Sequence, residues 1–382
     1  MLVRLESAPV DVQGAPKEAS EPGAGTSPET DCDRQIAGAS PAPFLRSSDP
    51  HRTRIVDFLP CAVFTQLHFA EIYAYKFKFM RTKKPFSFAC TAAGLLLSLV
   101  CAIAQSPSKQ TNSVSLGQSH FVSSGTNKIH YVTAGKGNHA IVFVHCWAGN
   151  NGFWREQVPA LVDKARLVLI DLPGHGQSDK PHAQYTMDFF ASAVLTAMRD
   201  ARVEKATLIG HSMGTPVMCR VYKQAPEKVA ALVAIDGVLR KPKMPAEQAE
   251  RFVAAFRAPE YRENTRQGMG TLFPVPGTEA LRDRVVSELL ATPQYVMVGA
   301  MEGMFGADQP DWDVKKADVP VLVINAPNPM WTDEYKDYVR SLSPKTDYRM
   351  IEGVGHWLML EKPAEFNTAF IGMLRKFDLI AE

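Results

Sequence analysis

Ala206-Thr207-Leu208-Ile209-Gly210-His211-Ser212-Met213-Gly214 sets a serine between glycines directly after a short apolar run. The run reads as a buried strand, and Pro216 to Tyr222 reads as the helix that follows. A serine at such a strand-to-helix reversal rides on a sharp turn with its hydroxyl pointing away from the sheet. The flanking glycines carry no Cβ, so strand and helix approach closely and a strained backbone is tolerated. A bare G-x-S-x-G match recurs by chance in long chains; the strand before and helix after make this one informative. Ser212 is therefore the candidate nucleophile, and a hydroxyl at neutral pH needs a general base to take its proton.

Outward from this turn, strand-like and helix-like segments alternate from residue 118 onward, which predicts an α/β fold with a mostly parallel central sheet flanked by helices. Strand runs are expected at Lys128 to Thr133, Ala140 to His145, Arg166 to Asp171, Ala206 to Ile209, Ala230 to Ile235, Val319 to Ile324 and Tyr348 to Ile351. Ala140 to Val144 is apolar throughout, as suits a strand buried on both faces. Helical patterns lie between, at Trp154 to Leu161, Met187 to Arg199, Pro216 to Gln224, Thr332 to Leu342 and Pro363 to Phe377.

The alternation breaks over 238–318, where helical patterns (Ala246 to Phe256, Glu279 to Leu290, Tyr295 to Met304) occur without strand runs. That segment is expected to be a helical cap inserted into a core made of 118–237 and 319–380, lying over the carboxyl ends of the strands, where open α/β sheets bind ligands. Its Met269, Met297, Met301 and Met304, with Phe256 and Phe273, either line an apolar pocket or pack the insertion's own small core.

The candidate base is His356 in Gly353-Val354-Gly355-His356-Trp357. It follows the last strand run and precedes the last helix, downstream of the serine turn, which is the order this chemistry uses. His211, beside the serine, is expected to pack in the core. No cluster of His, Cys, Asp or Glu has metal-ligand spacing and no glycine-rich phosphate loop follows a strand, so neither metal nor cofactor is expected.

Over roughly residues 118 to 380 the chain resembles the α/β-hydrolase fold family, in its serine hydrolase, esterase- and lipase-like branch. The residues that carry the resemblance are His145-Cys146-Trp147-Ala148-Gly149, Asp171-Leu172-Pro173-Gly174-His175-Gly176-Gln177-Ser178-Asp179, the Ser212 turn, and Gly355-His356. The resemblance implies an oxyanion hole from two backbone amides, those of Met213 and, by position, Trp147. It also assigns Asp171, His175 and Asp179 to a structural turn. A serine nucleophile sets the chain apart from the epoxide hydrolase and haloalkane dehalogenase branches, which use aspartate.

Two departures stand out. Cys146 replaces the glycine usual in the oxyanion turn, and would be strained if that position required positive φ. The turn that most often bears the triad acid reads Asn325-Ala326-Pro327-Asn328-Pro329-Met330, without a carboxylate. Two substitutes are available. Asp236 follows a strand run at the acid position used by some members of the fold, and is preferred because a strand end is rigidly placed. Asp333 is the alternative, but is expected to begin a helix. The implied activity is attack on a small, fairly apolar ester or acyl substrate through Ser212, His356 and an aspartate. An acyltransferase, perhydrolase, amidase or peptidase, or carbon–carbon hydrolase would share this machinery, and a non-catalytic ligand-binding protein could share the fold.

A net charge of +2 over 382 residues, with scattered basic groups, gives no reason to expect nucleic acid as a partner. Met80 opens a basic stretch (Arg81, Lys83, Lys84), an apolar run extends from Phe86 to Ala104, and Ala102-Ile103-Ala104 forms an A-x-A site. Residues 80–104 therefore read as a secretory signal peptide, which predicts export to a periplasmic or secreted location. Residues 1–79 would then lie upstream of the true start or form a disordered extension; an uncleaved 86–104 would anchor the protein to a membrane. Only Cys146 and Cys219 follow this segment, and both are expected to be buried thiols.

Overall fold

A computed structural model describes residues 116–306 and 309–382; the signal-like segment and everything before it lie outside the described residues. Among the described residues, eight strands form one sheet in the order β1-β2-β4-β3-β5-β6-β7-β8. They are β1 (Gln118–Ser124), β2 (Asn127–Ala134), β3 (Ala140–Val144), β4 (Arg166–Ile170), β5 (Ala206–His211), β6 (Val229–Ile235), β7 (Val321–Asn325) and β8 (Thr346–Met350). The β1–β2 and β2–β4 pairings are antiparallel and all others parallel. This is the mostly parallel α/β sheet that the alternation implied.

The central strands β5 and β7 are buried along their whole length, which explains their unbroken apolar runs. Helices α1 (Val158–Leu161), α2 (Met187–Asp200) and α3 (Gly214–Gln224) lie between strands of the first half. Thr186 caps α2 by accepting the Phe189 amide at 3.1 Å, and Asp188 and Arg199 sit at the ends that the helix dipole favours. Four helices, α4 (Ala246–Arg257), α5 (Tyr261–Gly270), α6 (Glu279–Leu289) and α7 (Gln294–Phe305), separate β6 from β7. Helices α8 (Asp333–Ser341), α9 (Leu358–Glu361) and α10 (Pro363–Lys376) complete the order.

Three elements differ from the sequence reading. The expected helix Trp154 to Leu161 is a 3₁₀ turn at Asn151–Trp154 followed by the single turn α1. Pro159 has no N–H to donate and is tolerated only in a first helical turn, so it divides the segment. Strand β1 precedes the first expected strand; its apolar residues Phe121 and Val122 are adjacent and point to opposite faces, so no alternation marks it. Helix α5 buries only Thr265 and Gly268 and has no apolar stripe to read. No helix among the described residues is long and apolar enough to cross a membrane.

Candidate active site

The carboxyl ends of β5 and β6 and the loops after β3 and β8 build the site. Strand β5 ends at His211, and Ser212 follows with φ +52°, in the left-handed region that an L-residue enters only under constraint. The constraint comes from close packing on either side. A Cβ on Gly210 would collide with the Gly214 carbonyl and the Thr215 amide at the start of α3. A Cβ on Gly214 would collide with the Val144 carbonyl and stand 2.9 Å from that of His145. The two glycines thus let β5, α3 and the end of β3 meet around a serine that remains part-exposed.

Strand β6 ends in Asp236, also at positive φ (+41°), with its amide bonded to the Ile324 carbonyl of β7 at 2.9 Å. Its carboxylate has two distinct partners. Oδ1 accepts the Ala326 amide at 2.9 Å, and Oδ2 lies 2.5 Å from Nδ1 of His356. The acid is buried, at 7% exposure, while the imidazole is partly open. A base oriented through Nδ1 by a buried carboxylate leaves Nε2 for proton transfer. Ser212 Oγ makes no hydrogen bond with a described residue; catalytic contacts of this kind commonly tighten only when substrate is bound.

The other acid candidate is elsewhere. Asp333 is the first residue of α8, behind the Thr332 cap, with its side chain 94% exposed and paired to Lys336 at 3.1 Å. Asn325, the last residue of β7, is fully buried and donates to the Tyr348 hydroxyl rather than to His356.

The turn after β3 is held from three sides. His145 donates from Nδ1 to the Cys146 carbonyl at 2.7 Å and accepts the Leu172 amide on Nε2 at 3.0 Å, so it is held neutral, and burial pushes its imidazole below the ordinary value. Trp147 donates from Nε1 to the Met297 carbonyl of α7 at 2.8 Å and packs edge-on against Phe256 of α4. Thr292 Oγ1 donates to the Ala148 carbonyl at 3.0 Å. Neither the Trp147 nor the Met213 amide donates to a turn or loop carbonyl among the described residues, and both residues are buried.

Comparison with known proteins agrees with this architecture. The α/β hydrolase fold family matches residues 139–273. The chain has the α/β-hydrolase fold. Among curated relatives of this fold, it is 32% identical over 168 residues to a pimeloyl-[acyl-carrier protein] methyl ester esterase of Methylococcus capsulatus, covering 42% of this chain and 63% of that one. It is 25% identical over 252 residues to the dihydrolipoyllysine-residue acetyltransferase component of the acetoin cleaving system of Cupriavidus necator, covering 63% of this chain and 65% of the relative. The chain thus spans less than two thirds of the length of either relative. The solved α/β-hydrolase structure of Est816, an N-acyl homoserine lactone degrading enzyme, superposes with a TM-score of 0.56 at 25% identity, over 66% of this chain and 99% of that one.

Within this fold the turn after β3 answers the condition that Cys146 raised. The positive φ falls on Ala148 (+55°), not on Cys146, so the cysteine sits unstrained where a glycine is usual. Burial pushes its thiol up to about 12, and Cys219 is likewise buried. The turn after β4 is structural in its bonding: Asp171 accepts from the Asn151 and Gln177 amides and from His130, while Asp179 accepts the Lys128 amide. The cap methionines Met297, Met301 and Met304 and the aromatics Phe256 and Phe273 are buried with the core, and Phe273 stacks flat on Trp357 at 4.8 Å. Among the described residues no group of three or more potential metal-binding side chains converges.

Sequence reasoning missed the surroundings of His356. His211 is fully buried, with Nε2 donating to the His356 carbonyl at 2.9 Å. Burial, reinforced by the neighbouring His356, holds its imidazole well below the ordinary value. The Glu361 carboxylate accepts the Gly355 amide at 2.8 Å and the Trp357 amide at 3.2 Å, and burial holds it above its ordinary value. A glutamate five residues past a histidine carries no spacing signal of its own.

Proposed function

We propose that the protein is a serine hydrolase of carboxylic esters, with Ser212 as nucleophile, His356 as general base and Asp236 as the residue that orients and stabilises the imidazolium. The observation that carries this is the 2.5 Å Nδ1–Oδ2 contact between His356 and Asp236, with the His356 carbonyl bonded to His211, which directly precedes a serine at φ +52°. Ser212 Oγ attacks the ester carbonyl carbon while His356 Nε2 takes the hydroxyl proton. The carbonyl oxygen becomes an oxyanion stabilised by the Met213 and Trp147 amides, a type of contact worth about 10²–10³ in rate per donor. Collapse expels the alcohol, which receives the proton from His356; water then repeats the sequence to release the acid and free Ser212. The relatives named as esterase and lactone-degrading enzyme support an acyl-oxygen substrate.

The buried apolar cap residues Phe256 and Met297, both against Trp147, favour a small apolar acyl group. Transfer of the acyl group to an acceptor other than water is the second reading, favoured by the similarity to an acetyltransferase component. Export, directed by the segment 80–104, is part of the same proposal.

The test is labelling with a fluorophosphonate probe alongside hydrolysis of nitrophenyl esters of increasing chain length. Wild type is expected to be labelled and Ser212→Ala not. A folded wild type that takes no label removes the hydrolase reading. Product partition between water and an added alcohol separates hydrolysis from transfer.

A further inference from the structure

The backbone around His356 is held to an unusual degree for a loop. Loops generally run over the surface with backbone groups open to water. Here the Gly355 amide, the His356 amide, the His356 carbonyl and the Trp357 amide are all engaged. Glu361 takes the first and last, the Leu272 carbonyl of the α5–α6 connection takes the His356 amide at 3.0 Å, and His211 takes the carbonyl. We propose that Glu361 and His211 are positioning residues that clamp the His356 loop, one by its amides and the other by its carbonyl, and so aim the imidazole between Asp236 and Ser212. The inference rests on the triad assigned above.

Helix capping alone does not account for Glu361. It ends the single turn α9, and the cap position of that turn is Trp357, whose amide it accepts at 3.2 Å. The shorter bond, 2.8 Å, reaches past the cap to Gly355 on the far side of His356. One carboxylate thus brackets the histidine, and each of its oxygens holds one amide in a charge-assisted bond. Gly355 leaves room for this: a Cβ there would collide with the Leu272 carbonyl and stand 3.1 Å from Glu361 Oε1.

Core packing alone does not account for His211 either. Its Nδ1 is buried without a hydrogen-bond partner among the described residues, an arrangement that an apolar side chain of similar size would avoid. Among the described residues its side chain makes one hydrogen bond, to the His356 carbonyl, and its ring lies 4.8 Å from the His356 ring. Because His211 precedes Ser212 directly on the strand end, this bond ties the base to the segment that carries the nucleophile.

The chemistry of each clamp defines its test. In Glu361→Gln one amide oxygen keeps one N–H, but the NH₂ faces the other, so the bracket opens. In His211→Phe the donor is lost, whereas His211→Gln restores an N–H at the position of Nε2. A misplacement of about 1 Å costs on the order of a hundredfold in rate. Glu361→Gln and His211→Phe are therefore expected to lower kcat by about ten- to a hundredfold with KM within about twofold, and His211→Gln to recover most of it. The readout independent of turnover is the far-downfield proton resonance of the His356 Nδ1–H bonded to Asp236. It is expected to shift or broaden in Glu361→Gln and His211→Phe and to return in His211→Gln.

Wild-type kcat and an unmoved resonance in Glu361→Gln and His211→Phe would overturn the clamp, as would a His211→Gln no better than His211→Phe. A wild type without esterase activity or fluorophosphonate labelling would instead remove the hydrolase reading, and the resonance would still report on the clamp. The two variants lie on different elements, so the inference stays testable if circular dichroism shows that one has failed to fold.

Discussion

Replacing Asp236 with asparagine isolates the contribution of the carboxylate that the structure sets against His356. Oδ1 accepts the Ala326 amide at 2.9 Å and Oδ2 meets His356 Nδ1 at 2.5 Å. An asparagine keeps its oxygen on the Ala326 amide, because the opposite orientation would set NH₂ against N–H. Its NH₂ then faces Nδ1, which must give up its proton to accept, and the imidazole proton moves to Nε2. That is the atom whose lone pair has to receive the Ser212 proton, so the base is in the wrong tautomer and has lost its counter-charge. The same change in the worked serine-protease triad lowers kcat by about 10⁴, equivalent to about 5.4 kcal/mol of barrier at 1.36 kcal/mol per tenfold. Asp333→Asn alters a side chain that is 94% exposed and paired to Lys336, and should leave kcat within about twofold. Steady-state hydrolysis of a nitrophenyl ester by both variants, with folding checked by circular dichroism, reads the difference. Asp236→Asn within tenfold of wild type, or Asp333→Asn equally impaired, refutes the reasoning.

Three further outcomes follow from the same geometry. Gly214→Ala drives a methyl group into the Val144 and His145 carbonyls and should lower stability by about 1–3 kcal/mol, seen as a lower Tm; an unchanged Tm would mean that α3 has room to move. Cys146, with its thiol pushed up to about 12 by burial, should resist a thiol reagent at pH 8 in the native protein and react only after unfolding; rapid native modification with loss of activity would contradict this. His175 is fully buried, and desolvation, reinforced by the neighbouring His145, pushes its imidazole down to about 3. Above pH 6.5 neither folded nor unfolded chain protonates it; below, only the unfolded chain does, so its contribution is lost progressively as pH falls from 6.5 towards 3. At pH 5 that is about 2 kcal/mol, and His145 and His211 act in the same direction. The fall in Tm between pH 7 and pH 5 should therefore be smaller in His175→Asn than in wild type, and equal slopes would count against it.

What could be read from the sequence follows how local the cause is. The serine turn was legible because its two glycines stand four residues apart around the serine, Gly210 answering to the start of α3 nearby in sequence and Gly214 to the end of β3. The central strands were legible because burial on both faces leaves an unbroken apolar run. Strand β1 and helix α5 were not, since an edge strand exposed on alternate positions and a polar helix leave no period to find. In the turn after β3 the sequence left open whether Cys146 would be strained: the unusual residue is Cys146, but the unusual backbone is at Ala148. Identity and conformation are separate questions there, and only the second is set by the neighbours that hold the turn. Glu361 and His211 had no signal because their partners are backbone atoms, and a backbone amide looks the same in every sequence.

The displaced acid is the clearest case of a long-range cause. The loop after β7, the usual place of the triad acid and one without a carboxylate in this sequence, still takes part in the arrangement: its Ala326 amide donates to Asp236 Oδ1. Strands β6 and β7 are adjacent and in register, with Ile235 opposite Ile324, so the two strand ends face the same space. Here the β6 end carries the carboxylate that meets His356, and the β7 end supplies it with a donor. The loop is itself braced, because Trp331 donates from Nε1 to the Ala326 carbonyl at 2.9 Å. Exchanging the positions by Asp236→Asn with Asn325→Asp would place a carboxylate on the other strand but leave it without the Ala326 amide as donor, and Asn325 is fully buried and turned toward Tyr348. The double variant should therefore recover little of the activity lost in Asp236→Asn. The position of the acid is thus fixed by the pair of strand ends together, and moving the carboxylate would require rebuilding the loop that now supports it.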